Sequence, residues 1–202
     1  TGNKGESLVL EQMVTPLVNE RGQLTHFVVI LHDVTDRKLQ EILMKHQAYH
    51  DPLTDLPNRI MFEDRLQQAL AHARRNGTLL ALFFLDLDNF KPINDYHGHQ
   101  TGDRLLRVVA KRLATCVRST DTVARLCGDE YAVILQGLDR IQDIRQVAQK
   151  ILECLTPPIR LGGQDIPIKI SIGIAVYPKD STDPHQLLQI ADQAMYRAKE
   201  CG

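Results

Sequence analysis

The stretch from Phe83 to Asp103, FFLDLDNFKPINDYHGHQTGD, constrains this chain more than any other. An apolar run, Leu79 to Leu85, ends in Asp86 and Asp88. Apolar runs of this length read as buried strands. A turn carrying Lys91, Asn94 and Asp95 follows, then Gly98, His99, Gly102 and Asp103. A strand that delivers a carboxylate at its end, followed by a polar, glycine-containing turn, suits a hydrated cation and the phosphates it holds. Further along comes a second apolar-flanked acidic turn, Cys127-Gly128-Asp129-Glu130-Tyr131. Two acidic turns of this kind, distant in sequence, can converge on one divalent metal centre. Taken singly, each also reads as an ordinary polar turn capping a strand, since acidic residues are frequent in turns.

Composition excludes more than it identifies. In 202 residues, 43% hydrophobic content is enough for one domain core plus a helper segment. A net charge of -1 gives no global drive toward nucleic acid or an anionic membrane. No nucleic-acid partner is expected, and phosphate binding must be local. No apolar run approaches the length of a membrane span, and no signal peptide pattern is present. Cys116, Cys127, Cys154 and Cys201 form no CxxC and no ligand spacing. They read as reduced thiols of a cytoplasmic protein, a reading that leaves open membrane attachment of a longer chain. The end at Lys199-Glu200-Cys201-Gly202 reads as a helix tail in an excised fragment.

The order of elements is legible. Asn19-Glu20-Arg21-Gly22 is a turn before the β-prone run Leu24 to Leu31, which makes a hairpin with Met13 to Val18. Asp36 to Tyr49 reads as a helix capped by Asp36, with Leu39, Ile42 or Leu43, His46 and Tyr49 at steps of three and four. That pattern is either a short coiled-coil seam or an amphipathic helix lying on its own domain. A helix runs from Pro57-Asn58 to Arg75 and ends at Asn76-Gly77; strand Leu79 to Asp86 follows. A helical turn lies near Pro92 to Tyr96, and Thr101 can cap a helix from Gly102 to Val117. Thr122 to Leu126 and Tyr131 to Leu135 form a hairpin with CGDE at its tip. A helix from Arg140 to Leu155, strands Asp165 to Ile170 and Ser171 to Tyr177, and a helix from Pro184 to Lys199 complete the chain. Helices and hairpins do not alternate as regular βαβ units, so the fold class is α+β.

Five segments together resemble the GGDEF domain of diguanylate cyclases. They are DPLTDLPNR at Asp51 to Arg59, LDLDNFKPINDYHGHQTGD at Leu85 to Asp103, RLCGDEYAVI at Arg125 to Ile134, SIGIAVYP at Ser171 to Pro178, and ADQAMYRAK at Ala191 to Lys199. The resemblance spans about Tyr49 to Gly202. It implies a central, mostly antiparallel sheet flanked by helices, related to the nucleotidyl cyclases and the polymerase palm. Cys127 stands where the family usually has its first Gly, and Tyr131 where it has Phe. Cys127 is expected to carry a penalty, and Tyr131 to place its hydroxyl outward or in a hydrogen bond. The segment PLVNERGQLTHFVVILHDVTDRK resembles the closing strands of a PAS sensor domain. The domains expected are residues 1–35, the end of a PAS-like sensor; 36–49, a signalling helix; and 50–202, the GGDEF domain.

The resemblance also implies a chemistry: two GTP condense to cyclic di-GMP with release of pyrophosphate. By motif, Asp86, Asp129 and the Leu87 carbonyl hold Mg²⁺ or Mn²⁺, two per active site. Asp129 is placed first as proton acceptor, with Glu130 kept as a candidate. Lys91 and Lys199 meet phosphate oxygens, and Gly128 lets the backbone approach the nucleotide. Asn94 and Asp103 read guanine, whose N1–H and N2–H₂ donors suit a carboxylate. His99 either lines that pocket or packs at a helix start. Arg118 and Asp121, an RxxD before the signature, make the family's inhibitory product site, or else a surface salt bridge at a helix end. The enzyme reading implies a homodimer of facing half-sites, paired through the signalling helix. The other reading is a binding module for GTP or cyclic di-GMP beside an EAL phosphodiesterase domain, because DPLTDLPNR resembles the version found upstream of EAL.

Overall fold

The computed structural model describes residues 8–201. Residues 1–7 of the expected sensor segment, and Gly202 of the expected GGDEF domain, lie outside the described residues. Internal contacts divide the chain into two bodies, one up to Ala48 and one from Tyr49 onward.

In the first body, β1 (Leu10–Val18) and β2 (Leu24–Asp33) form an antiparallel hairpin. Asn19 closes the turn by accepting from the amides of Arg21 and Gln23. Every residue of both strands is exposed, the apolar ones included. Helix α1 (Thr35–Tyr49) follows. Asp36 was expected at its cap but lies inside the first turn. Asp33 does the capping work, its Oδ1 accepting from the amide and hydroxyl of Thr35 at 2.9 and 2.6 Å. An aspartate bonding two residues ahead is a local turn that competes well with a cap. The Thr35 hydroxyl in turn accepts from the Val9 amide, and Arg37 pairs with Glu11 at 3.2 Å. The Asp33-to-Arg37 segment therefore ties the helix start to the first strand. No α1 residue is buried, and Leu39, Ile42 and Leu43 face solvent.

The second body runs α2 (Arg59–Asn76), β3 (Leu79–Asp88), α3 (Phe90–His97), α4 (His99–Cys116), β4 (Thr122–Cys127), β5 (Glu130–Leu138), α5 (Ile141–Leu155), β6 (Ile159–Leu161), β7 (Gln164–Ile166), β8 (Lys169–Tyr177) and α6 (Pro184–Cys201). It is α+β, as the sequence implies. Four strands form one antiparallel sheet in the order β4-β5-β3-β8. Strand β3 is central and buried on both faces, which explains its unbroken apolar run. Ala81, Phe83, Leu85 and Leu87 pack in one core with α4 and α5. Leu80, Leu82 and Phe84 pack in a second core with α2 and α6.

Helix α2 starts and stops as its sequence implies. Asn58 accepts from the Met61 amide at 3.1 Å, and Gly77 ends it in the left-handed region at φ 64°. Several boundaries differ from expectation, most by a few residues, as where β3 runs on past Asp86 to Asp88. Helix α4 begins at His99, not Gly102, because Gly98 at φ 83° takes the cap position and leaves Thr101 in the first turn. Helix α3 begins at Phe90, ahead of Pro92, since proline is tolerated in a first turn. One strand, Lys169–Tyr177, replaces the two expected between Asp165 and Tyr177. Residues 159–166 form a separate small hairpin, and Pro167, with no amide to donate, separates it from β8.

Helix α6 lies directly on β8 at Gly173. A Cβ there would sit 1.9 Å from the Ala191 carbonyl oxygen and 2.2 Å from the Met195 amide nitrogen. Both obstacles are helix backbone, so neither can rotate away. Gly173→Ala is expected to destabilise the domain by about 1–3 kcal/mol through overpacking. Urea unfolding should show a lower midpoint at unchanged slope; an unchanged midpoint would mean the helix is free to lift.

Candidate active site

One level of the sheet carries the chemistry. Asp86 on β3 faces Glu130 on β5 and Ser171 on β8, and Glu130 faces Cys127 on β4. Residues paired across strands share a face, so Cys127, Glu130, Asp86 and Ser171 form a row across all four strands. Like charges facing each other in such a row destabilise it unless a cation or donor intervenes. Each acid has one. Lys199 on α6 reaches Asp86 Oδ1 with its Nζ at 2.5 Å. Cys127 donates its thiol hydrogen to Glu130 Oε2 at 2.8 Å. Beside the row, the Leu87 amide donates to the Asp129 carbonyl oxygen at 3.4 Å, drawing the hairpin tip over the end of β3. Gly128 turns the tip in the left-handed region at φ 50°.

Asp129 has its carboxyl pushed above the usual range. Burial is the largest cause, and the negative charges of Asp86 and Glu130 add to it, against relief from its own amide and from Lys199. Lys199 is held above its ordinary value, first by the hydrogen bond to Asp86. Asp86, Asp129 and Asp88 all act on that one ammonium. Hard oxygen donors short of positive charge suit a divalent cation such as Mg²⁺.

The tip is held from behind by a residue not singled out in the sequence. Arg125 donates through Nε and Nη2 to the Gly128 carbonyl at 2.9 and 2.7 Å, and through Nη1 to Asp51 at 2.9 Å. Asp51 Oδ1 also accepts from the amide and hydroxyl of Thr54. Burial alone would raise the Asp51 carboxyl, but the bonds from Thr54 and Arg125 outweigh it and hold it low. The only hint in the sequence was that DPLTD and RLCGDEY occur in one chain.

Helices α3 and α4 place the remaining polar residues. Asn94 Oδ1 is buried without a hydrogen-bond partner. A Cβ on Gly102 would sit 1.9 Å from that oxygen, so the glycine makes room for it. Asp103, exposed, is the next residue on α4. An orphaned buried acceptor matches a ligand edge that presents donors. Lys91 on α3 and His99 at the start of α4 are exposed. Neither has an ion-pair partner among the described residues.

A family model described as "Diguanylate cyclase, GGDEF domain" matches residues 48–202. The chain belongs to the GGDEF domain family. It is 43% identical over 155 residues to "Bifunctional diguanylate cyclase/cyclic di-GMP phosphodiesterase MucR" of Pseudomonas aeruginosa, covering 77% of this chain and 22% of that protein. It is 46% identical over 157 residues to "Diguanylate cyclase TpbB" of the same species, covering 77% of this chain and 36% of that protein. The chain thus spans about a fifth to a third of the length of these curated relatives. A solved GGDEF domain of TpbB superposes with a TM-score of 0.74 at 45% identity, covering 76% of this chain and 90% of that one. The coiled coil and GGDEF domain of DgcB from Caulobacter crescentus, in complex with c-di-GMP, gives 0.73 at 31% identity, covering 83% and 90%.

The two departures from the usual GGDEF signature are accommodated. Cys127 ends a strand outside the left-handed region, so its backbone does not call for glycine. Its thiol is pushed up, first by the bond to Glu130 and then by burial. Tyr131 is fully buried, and its hydroxyl points inward, donating to the Leu106 carbonyl at 2.9 Å. Of the two orientations expected, the hydrogen-bonded one is observed.

The RxxD residues sit apart from the acidic row, on a cavity of about 260 Å³ at the end of α4. Asp121 accepts from the amides of Arg118 at 2.9 Å and Gln136 at 3.3 Å. Each carboxylate oxygen accepts from one backbone amide. The surface salt bridge between Arg118 and Asp121 is not formed, and Arg118 keeps an exposed guanidinium with no ion-pair partner among the described residues.

The raised Asp129 carboxyl has a thermodynamic consequence. Between its ordinary value and its raised one, the native state binds more protons than the unfolded chain, so stability falls as pH rises through that window. At neutral pH the charge therefore costs stability. Asp129→Asn is expected to raise Tm at pH 7, and the gain should vanish below about pH 3.5, where both states are protonated. Added Mg²⁺ should raise the Tm of the parent protein and leave the variant's unchanged. A variant that melts lower at pH 7 would contradict the crowding of charge seen here.

Proposed function

We propose that this chain is the catalytic output domain of a sensor-regulated diguanylate cyclase, condensing two GTP into cyclic di-GMP with release of pyrophosphate. The observation that carries the reading is the approach of Asp86 and Asp129, close enough for the Asp86 charge to disfavour that of Asp129. A folded domain that keeps two such acids together is built for a cation between them. Asp86, Asp129 and the Leu87 carbonyl fit Mg²⁺ or Mn²⁺, with two ions per active site in this reading. Bound there, such ions lower the pKa of a ribose hydroxyl and neutralise charge growing on the phosphate.

The chain's own residues do the rest. Asn94 and Asp103 hold guanine; the orphaned Asn94 oxygen supports this. Lys91 and Lys199 meet phosphate oxygens, and Lys199 is kept at the site by its bond to Asp86. Gly128, bare and left-handed, lets the backbone come close. His99 borders the base. Asp129 accepts the 3′-hydroxyl proton, with Glu130 as the other candidate. The hydroxyl then attacks the α-phosphorus of the facing nucleotide in line. One domain holds one GTP, so the reaction needs a homodimer, and α1 with its exposed Leu39, Ile42 and Leu43 pairs the subunits. Arg118 and Asp121 hold the product and slow the enzyme. The hairpin before α1 is read as the closing edge of a PAS-like sensor, on the strength of its Asp33-to-Arg37 segment. Within the described residues, no helix is long and apolar enough to cross a membrane.

A second reading has one observation in its favour: relatives include "Cyclic di-GMP phosphodiesterase NbdA" of Pseudomonas aeruginosa, 38% identical over 159 residues. There the domain binds GTP or cyclic di-GMP and regulates a neighbour such as an EAL domain. Turnover separates the two. Purified protein with GTP and Mg²⁺ should yield cyclic di-GMP by chromatography, and Asp129→Asn should yield none while remaining folded. Nucleotide bound without product would favour the binding module.

Base reading has its own test. Losing one partner of a polar pair costs about 1–3 kcal/mol. Asp103→Ala should therefore weaken GTP binding by roughly tenfold or more, with ATP hardly affected. Equal losses for the two nucleotides, measured by calorimetry, would remove Asp103 from the guanine site.

A further inference from the structure

Away from the acidic row, two thiols meet in the seam between α4 and α5. Cys116 is the last residue of α4, and Cys154 lies near the end of α5. Both donate to one acceptor, the Arg112 carbonyl, at 3.2 and 3.5 Å. Sharing that one oxygen brings the two sulfurs into the same small space of the seam. Lys150 on α5 closes the seam by donating to the carbonyls of Thr115 and Cys116 at 3.3 and 3.0 Å. The helices cannot drift apart here without losing these bonds. Both thiols are free, Cys116 buried and Cys154 partly exposed.

We propose that Cys116 and Cys154 are a redox modification site, closing to an intramolecular disulfide when a peroxide reaches the partly exposed Cys154. Both sulfurs lie within 3.5 Å of one carbonyl oxygen, and the bond of about 2.05 Å is reached when the two side chains turn from that shared acceptor toward each other. The step balances. The Cys154 sulfur attacks one peroxide oxygen, the O–O bond breaks, and the departing oxygen leaves as water with a thiol proton. The resulting sulfenic acid is attacked by the Cys116 sulfur. An S–S bond forms, and the S–O bond breaks to release a second water carrying the Cys116 proton. The two sulfurs together lose two electrons, and the peroxide gains them. Burial, with Cys154 adding to it, pushes the Cys116 thiol up to about 11. Cys116, buried, is thus poorly suited to strike first, and the partly exposed Cys154 meets the peroxide while Cys116 resolves it.

The position gives the modification a consequence. Cys116, Arg118, Asp121 and Lys150 line the same cavity, so the bond would join its α4 wall to α5. Closing a loop between residues 116 and 154 also restricts the unfolded chain.

The test uses the full chain with Cys127→Ser and Cys201→Ser, which removes the two exposed thiols. Hydrogen peroxide should lower the free-thiol count from two to none. Peptide mapping without reductant should recover one species joining Cys116 to Cys154. Tm should rise by roughly 5 °C or more and return on reduction with dithiothreitol. Adding Cys154→Ser should abolish both the linked peptide and the reversible rise. Two free thiols after peroxide, or Cys154 carried to sulfinic acid with no linked peptide, would overturn the proposal. None of these readings depends on nucleotide turnover, so they stand apart from the cyclase test.

Discussion

Two like charges held together at the end of a sheet set the terms for the rest of this domain. Asp86 cannot retreat from Asp129, because β3 is buried on both faces and clamped between β5 and β8. Relief has to come from outside the sheet, and among the described residues it comes from Lys199, 113 residues away in sequence. That lysine is useful only if α6 lies where it does. Gly173 permits this by letting helix backbone rest against strand backbone. A packing detail in the core thereby controls an ion pair at the site. The relief is partial, since one ammonium serves Asp86, Asp129 and Asp88, and the remaining negative charge is what gives the site its appetite for cations.

The hairpin tip needs support of a different kind. Turns exposed at a sheet end are mobile unless their polar groups are satisfied. Arg125 supplies that support by gripping the Gly128 carbonyl with two donors and Asp51 with a third. A lysine could not hold both partners in fixed directions, because only a guanidinium offers a planar fork. Through this strut the DPLTD segment and the CGDE tip act as one unit, though 74 residues separate Asp51 from Arg125. The reach of Arg125 explains why an acidic, threonine-containing turn at the start of the domain matters to a site at its far hairpin.

What the sequence disclosed follows from how local each signal is. The long apolar run of β3, the Asn58 and Gly77 caps of α2 and the CGDE hairpin are all legible, because each depends on residues within a few positions. Helix starts with competing signals are harder. Thr101 is a good cap by type, yet Gly98 can adopt φ 83° and begins the helix earlier. Residues 159–177 mislead because a small hairpin and a long strand share the same β-prone composition, and only Pro167 marks the break. The acids of the site were found by motif, whereas Arg125 was missed. A strut is defined by partners distant in sequence, and no spacing rule reveals it. Nor does sequence show that Asp121 is bound by the backbone amides of Arg118 and Gln136 instead of by the Arg118 guanidinium.

The altered signature bears on which acid takes the proton in the proposed reaction. A glycine at position 127 would offer Glu130 no side-chain donor, and a phenylalanine at 131 would leave the Leu106 carbonyl to its helix alone. Tyr131 anchors the start of β5 to α4 by a buried hydrogen bond, the kind whose loss costs most. Cys127 binds Glu130 Oε2 and turns that carboxylate along the row toward β4. Adjacent acids in unlike surroundings divide their labour. One oxygen of Glu130 is already occupied by a thiol donor. Asp129, crowded by burial and by Asp86, holds a proton more readily than an ordinary aspartate. Within the proposed reaction that combination favours Asp129 as the proton acceptor and leaves Glu130 to shape the field around it.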